Sequence, residues 1–311
     1  MYIQRPNRVL RWIIYLLVFT GCFVLGITLI DLADRSPQFA SWRQQNYTAV
    51  ALVLGAFVFV CLAYAAFSTV QRSRANVFHR EGLQLTQQHH YKRALEAYDR
   101  ALAIQPKFVG TLTNKSIVLM LLNRYDEALA TIAKALSIKP KHAVAWLNKG
   151  VILIRLKRYD EALAATDKAL SLNRKYSLTW NNKADILCEH LKHYDEAIAV
   201  CDEAQRRHIE TAGLYAIKGA ALDALGRRNE AYAAYERVLT YPADDFGSWS
   251  ARAKALAGVE RYDEALTAYD YALTFQPDEP RLWREKAATL RALGREAEAQ
   301  EAGARADELD G

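Results

Sequence analysis

The stretch that decides the fold runs from Trp146 to Asn173 and reads WLNKGVILIRLKRYDEALAATDKALSLN. It nearly matches itself when the sequence is shifted by 34 residues in either direction. Between Trp180 and Trp249 the interval is 69 residues, which is two periods with one inserted residue. A period of this length predicts a chain built from copies of one supersecondary unit. The aromatic residues that mark the period are Tyr91, Tyr125 and Tyr159, Trp146 with Trp180, and Trp249 with Trp283.

Each period predicts two helices. An apolar-periodic helix of about 14 residues is followed by a short turn and a second helix. Asp-Glu pairs, as at Asp126 and Glu127, fall at the start of the second helix, where carboxylates suit the helix dipole and cap free N–H groups. Pro106, Pro140 and Pro277 end that helix. The predicted repeats are 75–108, 109–142, 143–176, 177–211, 212–245, 246–279 and 280–311.

This pattern resembles the tetratricopeptide repeat (TPR) family over residues 75–311. The resemblance implies an all-α fold in which about seven repeats stack as a right-handed α-solenoid. The fifth repeat departs from the family pattern, with Arg227-Arg228-Asn229 at the tyrosine turn. The polar last helix, from Glu296 to Asp310, is expected to cap the array. In the family a small residue of the first helix meets an alanine of the second; here these are Gly82, Ser116, Gly150, Ala184, Gly219, Ala253 and Ala287, with Ala94, Ala128, Ala162, Ala197, Ala231, Ala265 and Ala299.

Residues 1–74 predict a membrane anchor. Two uncharged runs, 12–30 and 47–70, are each long enough to cross a bilayer as a helix. Joined by the polar link between them, they predict a two-helix transmembrane hairpin. The alternative for the first run is a cleaved signal peptide, whose apolar region is shorter, about 7–15 residues. No glycine or proline occurs between Ala56 and Glu81, so the second run is expected to continue as a helix into the first repeat.

The charge distribution orients this anchor. Residues 1–74 carry seven arginines and two aspartates, whereas the rest of the chain carries 34 basic and 33 acidic side chains. A nearly neutral repeat region argues against nucleic-acid binding, which needs a basic stripe. Three arginines precede the first run, and Arg72, Arg74 and Arg80 follow the second. The positive-inside rule therefore places both termini and the TPR domain in the cytoplasm of a multi-pass protein, in a bacterial inner membrane or a plasma membrane.

The residues that form catalytic and metal sites do not recur in a recognised pattern. We expect no enzyme activity, no cofactor and no bound metal. The nearest metal candidate is Cys188, His190 and His193, with Cys201 further along. It coincides with the inserted residue of the fourth repeat, so a variant turn with surface histidines explains it more simply. The Asp-Glu pairs recur in one structural role, which indicates helix capping and not catalysis.

The resemblance also predicts a binding groove, because peptides bound by TPR proteins lie along the first helices. Repeats two and three contribute an apolar floor, and the fourth repeat contributes polar residues. The alternative is that an error of one residue in the register makes the apolar positions ordinary core. Lys115, Lys149 and Lys183 recur too strictly for a carboxylate clamp and indicate packing between repeats. The predicted groove residues are Thr113, Ile117, Met120, Leu121, Leu147, Val151, Ile154, Arg155, Asn181, Asp185 and Glu189, with Lys254, Arg284 and Arg291 in the last repeats.

The expected function is a membrane-anchored interaction scaffold. It would hold a partner protein or peptide in the concave TPR groove next to the membrane. The alternative is a structural subunit or assembly factor of an integral-membrane complex that docks through its outer face. A third hypothesis, an enzyme regulated by the repeats, lacks any further domain to carry the chemistry. The sequence makes no prediction about self-association.

Overall fold

The computed structural model describes residues 40–310, and this part of the chain is all-helical. It divides into two compact units, Met1–Ser73 and Arg74–Gly311, and helix α1 contains residues of both. The helices are α1 (Ala40–Gln87), α2 (Tyr91–Ile104), α3 (Val109–Leu121), α4 (Tyr125–Ile138), α5 (Ala143–Arg155), α6 (Tyr159–Leu172), α7 (Ser177–Asp185), α8 (Tyr194–Arg206), α9 (Ala212–Ala224), α10 (Arg228–Leu239), α11 (Phe246–Gly258), α12 (Tyr262–Phe275), α13 (Pro280–Ala292) and α14 (Glu296–Asp310).

The first unit is described over residues 40–73, all within α1. Its apolar side chains are exposed, as at Phe59, Tyr64 and Phe67. Among the described residues one helical segment, Gly55–Gln87, is long and apolar enough to cross a membrane. The predicted span 12–30 lies outside the described residues, so the two-helix hairpin stays a prediction. The expected continuity from the second span into the first repeat is confirmed, because α1 runs unbroken to Gln87.

The second unit is a stack of helix pairs, which confirms the solenoid of TPR type. Each pair consists of a first helix (the end of α1, then α3, α5, α7, α9, α11 and α13) and a second helix (α2, α4, α6, α8, α10, α12 and α14), and successive helices pack on each other. Three second helices end two residues before a proline, as at Ile138 before Pro140. The residue before proline disfavours the helical conformation, which explains these ends.

Every turn within a pair contains one residue in the left-handed conformation. The N–H group three residues past the first helix then donates to a carbonyl in the last turn of that helix, as from Arg158 to the Leu153 oxygen at 2.9 Å. The residue in the left-handed conformation is glycine in two pairs. In the other five pairs it is a residue with a side chain, for which this conformation costs about 1–2 kcal/mol. The residues are His89, Asn123, Lys157, Lys192, Gly226, Glu260 and Gly294.

The small residues of the first helices have a wider role than predicted. The seven partner alanines are buried, as expected. In the third pair the Cβ of an alanine at Gly150 would lie 3.5 Å from the Ala162 carbonyl oxygen, so these helices do meet there. In the first and fifth pairs a tyrosine ring of the second helix covers the glycine instead: Tyr98 covers Gly82 and Tyr235 covers Gly219.

The acidic residues at the start of the second helices do not cap N–H groups, which corrects the prediction. The residue before each helix is an arginine in five pairs, and it forms a double ion pair with the glutamate three residues later. Arg158 Nε and Nη2 lie 2.7 and 2.8 Å from the two Glu161 oxygens. The two planar groups match in shape, so the carboxylate prefers the guanidinium to the backbone. The other pairs are Arg124–Glu127, Arg227–Glu230, Arg261–Glu264 and Arg295–Glu298.

The periodic tryptophans and lysines join successive repeats. Trp146 Nε1 donates to the Pro140 carbonyl at 2.8 Å, which fixes the turn that precedes its helix. Lys183 Nζ reaches back to Asp167 Oδ1 at 2.6 Å, from a first helix to the preceding second helix. The interpretation of the lysines as residues that pack between repeats is therefore confirmed for Lys115 and Lys183.

The inserted residue of the fourth pair lies in the first helix and not in the turn, which corrects the prediction. Ile186–His190 form a π-helical turn directly after α7, closed by the Leu191 N–H bond to the Ile186 carbonyl at 3.0 Å. The wider turn absorbs the extra residue and keeps Cys188 buried. His190 is half-buried and stacks on Tyr159 at 4.2 Å, so it is not a surface histidine.

Candidate binding groove

The predicted groove residues fall on three successive first helices. Four lie on α3, four on α5, and the last three on α7 and its π-helical turn. Two of them belong to the core, because Thr113 is 2% and Leu147 7% exposed. The Thr113 hydroxyl donates to the Val109 carbonyl at 2.8 Å, so it is satisfied without a partner. For these two residues the alternative given by the sequence is correct: they are ordinary core residues and not part of a groove surface.

The apolar floor is therefore smaller than predicted. Met120 and Ile154 are half-buried and pack against the core. Ile117 and Val151 are half-buried, and Leu121 is 45% exposed. These three side chains are the apolar surface that α3 and α5 offer to a partner. We call Ile117, Leu121 and Val151 the apolar floor.

The polar side of the groove is an ion-pair cluster. Arg281 Nη1 lies 2.8 and 3.1 Å from the two Asp185 carboxylate oxygens. Its Nη2 lies 3.5 Å from Glu189 Oε1, and its Nε lies 3.1 Å from Glu285 Oε1. Lys254 donates to the same Glu189 carboxylate. The acidic surface predicted for the fourth repeat is thus neutralised by cations of repeats six and seven.

A second connection lies beside this cluster. Arg155 Nη2 lies 2.9 Å from Glu279 Oε2, and its Nη1 lies 3.3 Å from Oε1. Arg155 ends α5 and Glu279 is the last residue of the sixth repeat, directly before α13, so the bond joins the third repeat to the junction of the sixth and seventh. We call the contacts among Arg155, Asp185, Glu189, Lys254, Glu279, Arg281 and Glu285 the cross-groove ion pairs.

The surroundings favour the charged forms of Glu189 and Lys254. Burial raises the pKa of Glu189, but Lys254 and Arg281 lower it more, and the net pKa is below its usual value. Burial lowers the pKa of Lys254, yet the Glu285 and Glu189 carboxylates raise it above its usual value. Burial raises the pKa of the Cys188 thiol to about 11, so this thiol stays protonated. Among the described residues no group of three or more His, Cys, Asp or Glu could hold a metal ion.

Sequence reasoning found part of this site. Of the three basic residues expected in the last repeats, Lys254 joins the cluster. Arg284 and Arg291 instead lie near acidic residues of α14, 3.6 Å from Asp307 and 4.0 Å from Glu296. Sequence reasoning missed Arg281, Glu279 and Glu285. None of the three falls at the period positions of the predicted groove residues. Their partners are set by the curvature of the stack, which the period does not give.

Comparisons with known proteins agree with this architecture. Family models described as tetratricopeptide repeat match residues 85–146 and 119–186, 212–245, and 250–311, and together cover more than half of the chain. A comparison with curated protein sequences gives no match.

Two solved structures show the same fold. A tetratricopeptide repeat protein from Parabacteroides merdae is 20% identical, with a TM-score of 0.57, over 80% of this chain and 97% of that one. PilF from Pseudomonas aeruginosa is 18% identical, with a TM-score of 0.53, over 67% of this chain and 94% of that one. With the family models matched over residues 85–186, 212–245 and 250–311, this chain belongs to the tetratricopeptide repeat family.

Proposed function

We propose that this chain is a membrane-anchored scaffold that holds a segment of another protein in the groove of its repeats. The apolar floor carries this proposal. Three aliphatic side chains are accessible on neighbouring first helices, and Arg155 of the cross-groove ion pairs follows Val151 by four residues on α5. Accessible apolar surface with a charged rim is the composition of protein-binding sites. The segment would place an apolar side chain over Ile117 and Val151 and polar groups toward Asp185 and Glu189.

A second candidate is docking through the outer face, as a subunit or assembly factor of a membrane complex. One observation favours it. The second helices expose large aromatic side chains, and Tyr232, Tyr271 and Phe275 are each at least half exposed. The Tyr271 ring stacks on Trp249 at 4.5 Å, so it is held in place. Aromatic residues are enriched at interfaces, so this surface is the alternative that the experiment has to separate.

The groove is tested by replacing Ile117 and Val151 together with threonine in the full chain. The change removes apolar surface without adding charge. If each side chain contributes about 1 kcal/mol to binding, partners are held roughly 30-fold more weakly. Thermal unfolding should change little, because both positions are half-buried. Partners retained from membrane and soluble fractions are quantified for the wild type and the variant by mass spectrometry.

The matched control replaces Tyr232 and Phe275 with threonine on the outer face. Under the groove hypothesis this control retains the partners that the groove variant loses. Loss of partners from the control alone would support outer-face docking instead. A drop of many degrees in the melting temperature of the groove variant would show that Ile117 and Val151 belong to the core, because buried hydroxyls and cavities cost several kcal/mol of stability.

The anchor is the second part of the proposal. It is supported by the apolar, exposed surface of α1 between Leu52 and Val70 and by the arginines that flank this segment. An exposed apolar surface of this length in a helix suits lipid better than water. The arginine distribution supports two spans, with both termini in the cytoplasm.

The topology is tested with a reporter enzyme that is active only outside the cytoplasm. Inserted at Gln38, the reporter should be active, and fused after Gly311 it should be inactive, because the two sites lie on opposite sides of the membrane. The reverse result would contradict the orientation. Activity at neither site would contradict the hairpin and leave a single span or none.

A further inference from the structure

The cross-groove ion pairs join parts of the chain that are far apart in sequence. Arg155 and Glu279 are 124 residues apart, Asp185 and Arg281 are 96 apart, and Glu189 and Lys254 are 65 apart. Every other ion pair described above for the repeat domain joins two residues of one repeat or of neighbouring repeats. These contacts therefore close the stack on itself, from repeats three and four to repeats six and seven.

Apolar packing does not join α5 to α13, although one core cluster extends from the fourth repeat through the fifth to the sixth. Ala145, Ile152 and Leu153 of α5 belong to core clusters with residues of the first four repeats. The buried apolar residues of α13 belong to clusters with α11, α12 and α14. No core cluster among the described residues contains buried side chains of both α5 and α13. The contact between the end of α5 and the start of α13 is made by charged side chains.

The charged side chains are accessible enough to exchange partners. Their exposed fractions run from 15% for Glu279 to 42% for Arg155. At such exposure water and salt compete for each charge, so an ion pair is weaker than a buried one. Several of these weak links act together, because Arg281 contacts three carboxylates at once. The connection is therefore closed in the free chain and reversible.

We propose that the cross-groove ion pairs are a clasp that holds the groove closed in the partner-free chain. An extended segment lying along the first helices has to pass between Arg155 and Glu279 and between Asp185 and Arg281. The same charges that close the groove would be released to bind that segment. The clasp rests on the proposed function only in taking this groove as the binding site. The groove width itself is measured without a partner.

The test measures the distance between repeats three and six by electron spin resonance. Spin labels are placed on cysteines that replace the exposed Ser171 and Thr274, at the ends of α6 and α12. Cys22 and Cys61 are replaced by serine, while the buried Cys188 and Cys201 remain. The full chain is studied in detergent micelles. If mutation or salt removes the cross-groove ion pairs, the distance between the two labels should become longer and its distribution broader.

Arg155→Glu should lengthen the distance, since Glu279 then faces a like charge. Glu279→Arg should do the same, and the double reversal should restore the wild-type distance, because the pair is re-formed with exchanged signs. About 1 M NaCl, where the Debye length falls to about 3 Å, should lengthen the wild-type distance as well. The matched control is the reversal Arg158→Glu, which breaks a double ion pair inside one repeat and should leave the distance unchanged.

An unchanged distance in Arg155→Glu would overturn the clasp. A double reversal that stays as wide as the single variants would also overturn it, because the effect would then be a local disturbance of α5. Neither result depends on the identity or the binding of a partner. The proposed function fails separately, when the variant in Ile117 and Val151 keeps its partners at wild-type levels.

Discussion

Replacing Gly219 with alanine should destabilise the repeat domain by roughly 1–3 kcal/mol, even though alanine favours a helix. The ring of Tyr235 lies between two glycines of neighbouring first helices. An added Cβ at Gly219 would lie 2.5 Å from Tyr235 Cε1, and one at Gly258 would lie 2.3 Å from Cε2. The ring is 4% exposed and has a glycine on either side, so it cannot move away without displacing a helix.

The measurement is the thermal midpoint of the full chain in detergent, followed by circular dichroism. Gly247→Ala is the matched control, because its added Cβ would meet its nearest neighbour at 3.6 Å, an ordinary contact. It should leave the midpoint unchanged or raise it slightly. In a Tyr235→Leu background the Gly219→Ala change should cost much less, since the ring is gone. Equal midpoints for wild type and Gly219→Ala would show that the tyrosine does not fill this space.

The sequence predicts the helices of this chain well, because one pattern is repeated seven times. Tyr125, Tyr159 and Tyr262 begin second helices, as the period indicates. The alanines in those helices are buried because close helix contact demands a small side chain. Each of these features depends on local spacing within 34 residues, which the sequence contains directly.

The sequence pattern does not predict features that depend on neighbours in three dimensions. A glycine in the pattern predicts a close approach, but not that Tyr235 fills the space beside Gly219. The extra residue in the fourth repeat was assigned to the turn because insertions are most easily tolerated in loops. The structure instead widens the helix at Ile186–His190, because Lys192 then keeps the left-handed turn conformation of the other pairs.

The groove was predicted only in part for the same reason. Spacing on α3 and α5 selects a helix face, but it does not separate the buried Leu147 from the accessible Val151. Both lie on one face, four residues apart, and their exposure is set by the neighbouring repeats. The charge at Asp185 was read as a free acidic surface, since its partner Arg281 lies 96 residues further along the chain.

Replacing Arg281 with methionine should destabilise the chain at neutral pH by about 1–3 kcal/mol. The change leaves the carboxylates of Asp185, Glu189 and Glu285 without their shared cation. Removing one partner of a buried ion pair costs about 3–5 kcal/mol. The cost is smaller here, because the Arg281 side chain is 39% exposed and its charge is partly screened by water. Methionine retains an apolar stem of similar length, so lost packing contributes little.

The pH dependence separates lost charge from lost packing. The pKa of Glu189 lies below its usual value in the folded chain, so its ion pairs add stability above the ordinary carboxylate pKa. That stability disappears as the pH falls through the lowered pKa. The midpoints of wild type and Arg281→Met should therefore differ most near pH 7 and converge as the pH falls from about 5 to about 1, through the lowered carboxylate pKa.

Arg295→Met is the matched control for this series. Arg295 forms an equally short double ion pair, but with Glu298 in its own repeat and in full contact with solvent. Its loss should leave the midpoint unchanged at every pH, because exposed pairs contribute little. A difference between wild type and Arg281→Met that stays constant from pH 7 down through this acid range would mean that Arg281 acts through packing. A difference that vanishes in acid shows that the seventh repeat is held to the fourth by charge, with the groove between them.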